Sequence, residues 1–201
     1  MKKRILMVSH GLEIGGAESS LIGYLYALAE KKDVQTDLFL YKHCGELMEH
    51  IPNGINLLPE NNRYTCLATP IKKVIKKGHL LIAAGRAIGK KKAKTYLIKN
   101  GLYAKKSAVG IEYSHKYTKC FMPTISDTEY DLAVSFLTPH YFVAEKVKAK
   151  KKVAFIHTDY SYITVDTVSE LAMWSKYDAI AAVSEAVKES FVMLFPSLAS
   201  K

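Results

Sequence analysis

The 201-residue chain is 49% hydrophobic and 24% charged, the composition of a folded globular protein, which excludes a disordered or fibrous one. At this length a core that buries roughly 70% of the unfolded surface needs neither disulfides nor metal staples. The charge is uneven: Ala68 to Lys119 holds fourteen Lys and Arg against the single acid Glu112, a net +13, and subtracting this from the overall +10 leaves −3 for the rest.

Cys44, Cys66 and Cys120 lie far apart, without a CxxC pair and with one left over from any pairing, which predicts reduced thiols in a cytoplasmic protein. Met1 to Val8 has the basic-then-apolar order of a signal peptide, but His10 and Glu13 interrupt it and no cleavage site follows. No apolar run approaches the ~18 residues that cross a bilayer. The expectation is a cytoplasmic protein, at most peripheral at the inner face of the cell membrane.

Arg4 to Ser9 reads as a buried parallel strand, followed by the loop His10 to Gly16. From Ala17 the pattern turns helical, with Leu21, Leu25 and Leu28 on one face. Asp33 to Tyr41 is a second strand with Val34, Leu38 and Leu40 inside, and Gly54 to Pro59 a short third. Pro70 opens a helical region in which Ile71, Val74, Ile75 and Ile82 share a face. Gly78, Gly85, Gly89 and Gly101 predict breaks, hence two or three helices. Asp131 to Phe136 is a strand, Pro139 opens a helix to about Lys148, and Lys152 to His157 is the next strand. A helix over Val168 to Trp174, a strand over Asp178 to Val183 and a helix capped by Ser184, with Val187, Phe191 and Leu194 apolar, complete the chain up to Pro196. Alternating strands and helices predict an α/β fold: a Rossmann-like, doubly wound, mostly parallel sheet with helices on both faces, plus a basic helical insert. Ligands of such sheets sit beyond the strands' carboxyl ends, which selects His10 to Gly16, Thr138 to His140, His157 to Tyr160 and Ser184-Glu185.

Paired glycines at a strand-to-helix turn let main-chain N–H groups approach an anion, and the helix N-terminus adds partial positive charge. Gly15 and Gly16 therefore suit a diphosphate or a sugar hydroxyl; a plain tight turn is the simpler alternative. Gly11 and Gly16 have P-loop spacing, but Ala17 and Glu18 stand where its lysine and hydroxyl residue belong. The second strand ends in Leu40-Tyr41-Lys42-His43, without the ribose-binding acid of a dinucleotide fold. His43, Cys44 and His50 lack the spacing of a closed zinc site, so no metal is expected.

The run H-G-x-x-x-G-G-A-E between strand and helix, followed by Ser19, Ser20 and Leu21, resembles the start of the family 4 retaining glycosyltransferases of GT-B fold. Tyr130 to Ser135 is similar to that family's middle strand, Lys152 to His157 to its strand ending in histidine, and Tyr177 to Ser184 to its D-x-hydrophobic-x-x-V-S segment. The resemblance implies that residues 1–201 form the N-terminal, acceptor-side domain, with a lysine-rich insert at about 70–120 that no family motif covers and with the C-terminal donor-binding domain absent. The implied function is that of a hexosyltransferase-like enzyme, transferring a sugar from a nucleotide-sugar donor to a surface-polysaccharide, glycolipid or lipid-linked acceptor. The donor is a substrate, no cofactor is needed, and this half alone is expected to be inactive. The alternative is a non-catalytic acceptor- or membrane-docking subunit of a split transferase.

Carried over by position, Gly15 and Gly16 match the loop near the donor phosphates and sugar, and His157 matches the histidine that contacts the donor sugar. A neutral imidazole bonds a hydroxyl without adding charge. Candidate acceptor contacts are His10, Glu18, Asp159 and Tyr160, although Glu18 also fits a first-turn acid that favours the helix dipole. Lys72, Lys73, Lys76, Lys77, Lys90, Lys91 and Lys92, set around an apolar face, suit an anionic membrane surface. A solvated helical insert packed on the domain is the alternative. Nothing beyond the charge points to nucleic acid.

Overall fold

The computed structural model describes residues 2–137 and 139–201. Six strands, β1 (Lys3–Ser9), β2 (Val34–Leu40), β3 (Ile55–Leu57), β4 (Glu129–Ser135), β5 (Lys148–Ile156) and β6 (Ala179–Ala182), form one parallel sheet ordered β3-β2-β1-β4-β5-β6. Among the described residues the helices are α1 (Gly16–Ala29), α2 (Asn62–Thr65), α3 (Ile71–Lys76), α4 (Leu80–Lys99), α5 (Val109–Thr118), α6 (Tyr141–Lys146), α7 (Thr167–Trp174) and α8 (Glu185–Leu194). The Rossmann-like expectation holds. The order of strands reverses direction between β1 and β4, which opens a crevice at their carboxyl ends.

β1 is central because Leu6, Met7 and Val8 are apolar on both faces and can be buried on both. On one side Met7, Leu38, Leu40, Val134 and Phe136 meet Leu21 and Leu25 of α1. On the other, Leu6, Val8, Phe39 and Tyr130 meet Tyr64, Val74, Ile82 and Phe142. β2 is thus buried on both faces, more fully than the Val34, Leu38 and Leu40 set suggests. Its Asp37 is tolerated inside because the Tyr130 hydroxyl (2.7 Å) and the Asn56 amide (2.8 Å) donate to it and Arg4 lies 3.7 Å away.

Three sequence expectations are corrected. Gly85 and Gly89 do not break α4, which runs for 20 residues; the breaks fall at Gly78 and Gly101, whose φ values are +82° and +66°. A methyl at Gly85 would stand 2.6 Å from the Tyr117 carbonyl oxygen and one at Gly89 2.5 Å from that of Tyr113, so these glycines permit α4 and α5 to touch backbone to backbone. The helix after Pro139 stops at Lys146 rather than about Lys148, and Lys148 already pairs with Glu129 in β5. Strand pairing holds the lysine run because Asp131 accepts from Lys150 (2.7 Å) and Asp178 from Lys151 (2.8 Å). Finally, Ile75 is exposed while Val74 of the same helix is buried.

Candidate functional site

The first wall of the crevice is the loop after β1. Its opening half is tied down: Lys42 N–H donates to the His10 carbonyl (3.0 Å), Leu12 N–H to Cys44 (2.8 Å) and Leu47 N–H to Leu12 (2.9 Å). Gly45, at φ +106°, lets the loop after β2 lie against the Leu12 and Glu13 backbone. Glu13 and Ile14 then project outward, and Gly15, in extended backbone, serves as N-cap of α1 with its carbonyl accepting from Ser19 N–H (2.9 Å). Gly16 is exposed with open space around the position of a methyl. The turn is therefore at the surface, and the first-turn N–H groups of α1 have no intrahelical partners.

The Glu18 carboxylate folds back over Gly15 and fills the space a side chain there would take. A carboxylate in that place is stabilised by the helix N-terminus. His10, Gly11 and Glu18 line one small cavity of about 160 Å³ with Lys42 and Cys44. The His10 ring lies 4.7 Å from Tyr41 and 5.9 Å from His115 of α5, so the insert reaches the carboxyl edge of the sheet.

The second wall is formed by the ends of β4 and β5. Phe136 N–H donates to the Val8 carbonyl (2.9 Å), which keeps β4 beside β1 past its last ladder pair. His157, half-buried, lies 4.8 Å from the Phe136 ring and stacks on Phe155. Burial pushes its pKa below the ordinary histidine value, opposed by the Phe136 backbone and the negative charge of Glu18. It is a neutral imidazole at pH 7, and Glu18 of the first wall is within electrostatic reach. The loop glycines, Glu18 and His157 thus share one end of the sheet.

The remaining sequence candidates separate. Asp159 accepts from Ser161 N–H (2.8 Å), which closes a local turn and lowers its pKa. Tyr160 points inward: its hydroxyl donates to Glu170 (3.3 Å), and its ring lies against Phe191 and Phe195. Thr138 lies outside the described residues. His140 is fully buried, its Nδ1 2.7 Å from Ser135 Oγ, and burial pushes its pKa to about 3. Ser184 caps α8 by accepting from Val187 N–H (3.3 Å). The seven candidate lysines are all exposed, on or beside α3 and α4, with exposed Leu80, Leu81 and Ile88 among them. Arg86 instead turns inward to the carbonyls of Cys66 (2.5 Å) and Thr69, pinning α4 to the segment after α2.

Sequence reasoning did not assign Glu112 and Glu170, on α5 and α7, which are 2% and 1% exposed. Burial raises both carboxyl pKa values; the Glu170 charge adds to the rise at Glu112 and the Asp166 charge to that at Glu170, which is pushed up to about 7. The available signal was Glu112's position as the one acid in a strongly basic stretch. Cys44, Cys66 and Cys120 are free thiols, and among the described residues no group of three His, Cys, Asp or Glu could hold a metal ion. No helix among them is long and apolar enough to cross a membrane. No family model, curated protein or solved structure matches the chain.

Proposed function

We propose that the chain is the acceptor-side domain of a retaining, GT-B-type glycosyltransferase that moves a sugar from a nucleotide-sugar donor to a surface-polysaccharide, glycolipid or lipid-linked acceptor. One observation carries this reading. An exposed Gly15-Gly16 turn opens α1 at the carboxyl end of β1, and a neutral His157 ends β5 at the same edge, within electrostatic reach of Glu18. The N-terminus of α1 offers N–H donors and partial positive charge to a diphosphate or a sugar oxygen. His157 offers a hydrogen bond to a sugar hydroxyl without a competing charge. A donor-binding domain closing over this edge would exclude water and favour transfer over hydrolysis.

The exposed lysines Lys72, Lys73, Lys76, Lys77, Lys90, Lys91 and Lys92, with Leu80, Leu81 and Ile88 between them, support a further element of the reading: the insert rests on an anionic membrane. Each lysine near such a surface contributes about 1 kcal/mol. This element also fits a non-catalytic docking subunit.

Transfer is tested by incubating the protein with labelled nucleotide hexoses and cell-envelope lipid and glycan extracts. Label appearing in the acceptor fraction is the expected result. No transfer from any donor, with a donor-binding partner domain also supplied, contradicts the enzyme reading. Flotation with phosphatidylserine vesicles, but not with phosphatidylcholine vesicles alone, is expected from the docking element; equal recovery in both removes it.

A further inference from the structure

A separate cavity of about 410 Å³ lies between the start of α5 and the loops after β4 and β5. Ile111, Leu137 and Ile163 give it apolar walls, Thr158 and the ring-bearing Tyr160 add polar groups, and Glu112 also lines it. Glu112 is 2% exposed, and its Oε2 has no hydrogen-bond partner. Nearby, Glu170 accepts from Tyr160 and Trp174 (both 3.3 Å) through Oε2, while its Oε1 has none. A buried carboxyl oxygen without a partner is costly in either protonation state.

We infer that this cavity binds a protonated primary amine on an apolar frame, with Glu112 as the carboxylate that receives the ammonium group. The charge balance favours an amine over a hydroxyl. The Glu170 charge acts on Glu112, Asp166 acts on Glu170, Tyr160 and Trp174 donate to Glu170, and Tyr41, Tyr141 and Tyr177 lie within electrostatic range of Glu112; none of these is a cation. Lys106 lines the cavity too, but it is an exposed residue. Buried carboxylates are normally paired with a cation, and an ammonium supplies both the missing charge and the missing donor. Burial and the neighbouring Glu170 charge raise the cost of ionising Glu112, so an arriving ammonium draws the carboxyl toward its ionised form with release of a proton to solvent. The inference does not rest on the transferase reading.

The test is a matched pair of probes, cyclohexylamine and cyclohexanol, titrated near pH 7 into the protein and its Glu112→Gln variant. The amine is expected to bind about tenfold or more tightly than the alcohol, and the preference to vanish in the variant. Wild-type calorimetry in two buffers of different ionisation enthalpy is expected to report net proton release on binding the amine, with none for the alcohol. That second readout stands even if the variant does not fold. Equal affinities, a preference that survives in Glu112→Gln, no binding by either probe, or amine binding without proton release would each overturn the inference. None of these outcomes depends on glycosyl transfer.

Discussion

Gly16 separates a turn that merely folds from one that receives a ligand. A methyl there meets nothing within 4 Å, and Ala is the better helix former by roughly 0.5–1 kcal/mol. Gly16→Ala is therefore expected to melt at the same temperature or slightly higher. If the first-turn amides face the donor, the added methyl blocks close approach and transfer falls about tenfold or more. Unchanged activity with unchanged stability would mark the glycines as a turn only. The composition of this turn was legible in the sequence, because paired glycines between a strand and a helix admit few other uses. Its partners were not: Gly45 is thirty residues away, and its backbone contact with Leu12 and Glu13 follows from the packing of two loops.

Among the elements, α4 is where local propensity and tertiary packing disagree. Four glycines in a helical pattern suggested four weak points, and only two are breaks. Gly85 and Gly89 are four residues apart, hence on one face of α4, and that face contacts the backbone of α5. Gly89→Ala places a methyl 2.5 Å from a carbonyl that cannot move without shifting α5, and overpacking of this kind costs about 1–3 kcal/mol. Gly23→Ala in α1 meets nothing and should add about 0.5–1 kcal/mol. Chemical denaturation of both variants reads the two signs; a stabilised Gly89→Ala would refute the packing account. Strand identity was easier to read than helix extent, since short apolar runs of Val, Ile, Leu and Phe are buried by any neighbours. The end of α6 was misplaced because the lysines of Lys148 to Lys151 look helical until Asp131 and Asp178 are known to lie across from them.

At the scale of the whole molecule, stability should carry the mark of the buried acid pair. The folded-state pKa of Glu170 is raised to about 7, above the ordinary carboxylate value. Between those two values the folded state keeps a proton that the unfolded state has lost, so this group's contribution to stability falls as pH rises. Glu170→Gln cannot ionise, and its amide oxygen can still accept from Tyr160 and Trp174. Its stability relative to wild type is expected to improve by on the order of 2–3 kcal/mol between about pH 5 and about pH 8. A difference independent of pH would contradict the buried pair. The histidines with lowered pKa act in the opposite sense, losing stability as pH falls, and cancel from the comparison. The parallel sheet was legible from strand–helix alternation, and the carboxyl edge as its ligand face followed. What the sequence withheld was the course of the insert, which places Glu112 and His115 at that same edge.

Hydrogen–deuterium exchange of the protein with and without nucleotide sugar and acceptor glycan, supplied with a donor-binding domain, reads the ligand face directly. Slowed exchange is expected in 10–17 and 157–160, at the carboxyl ends of β1 and β5, with the amino edge of the sheet unchanged. Protection confined to that amino edge, or none at saturating ligand, would contradict the assignment of this face to a sugar substrate.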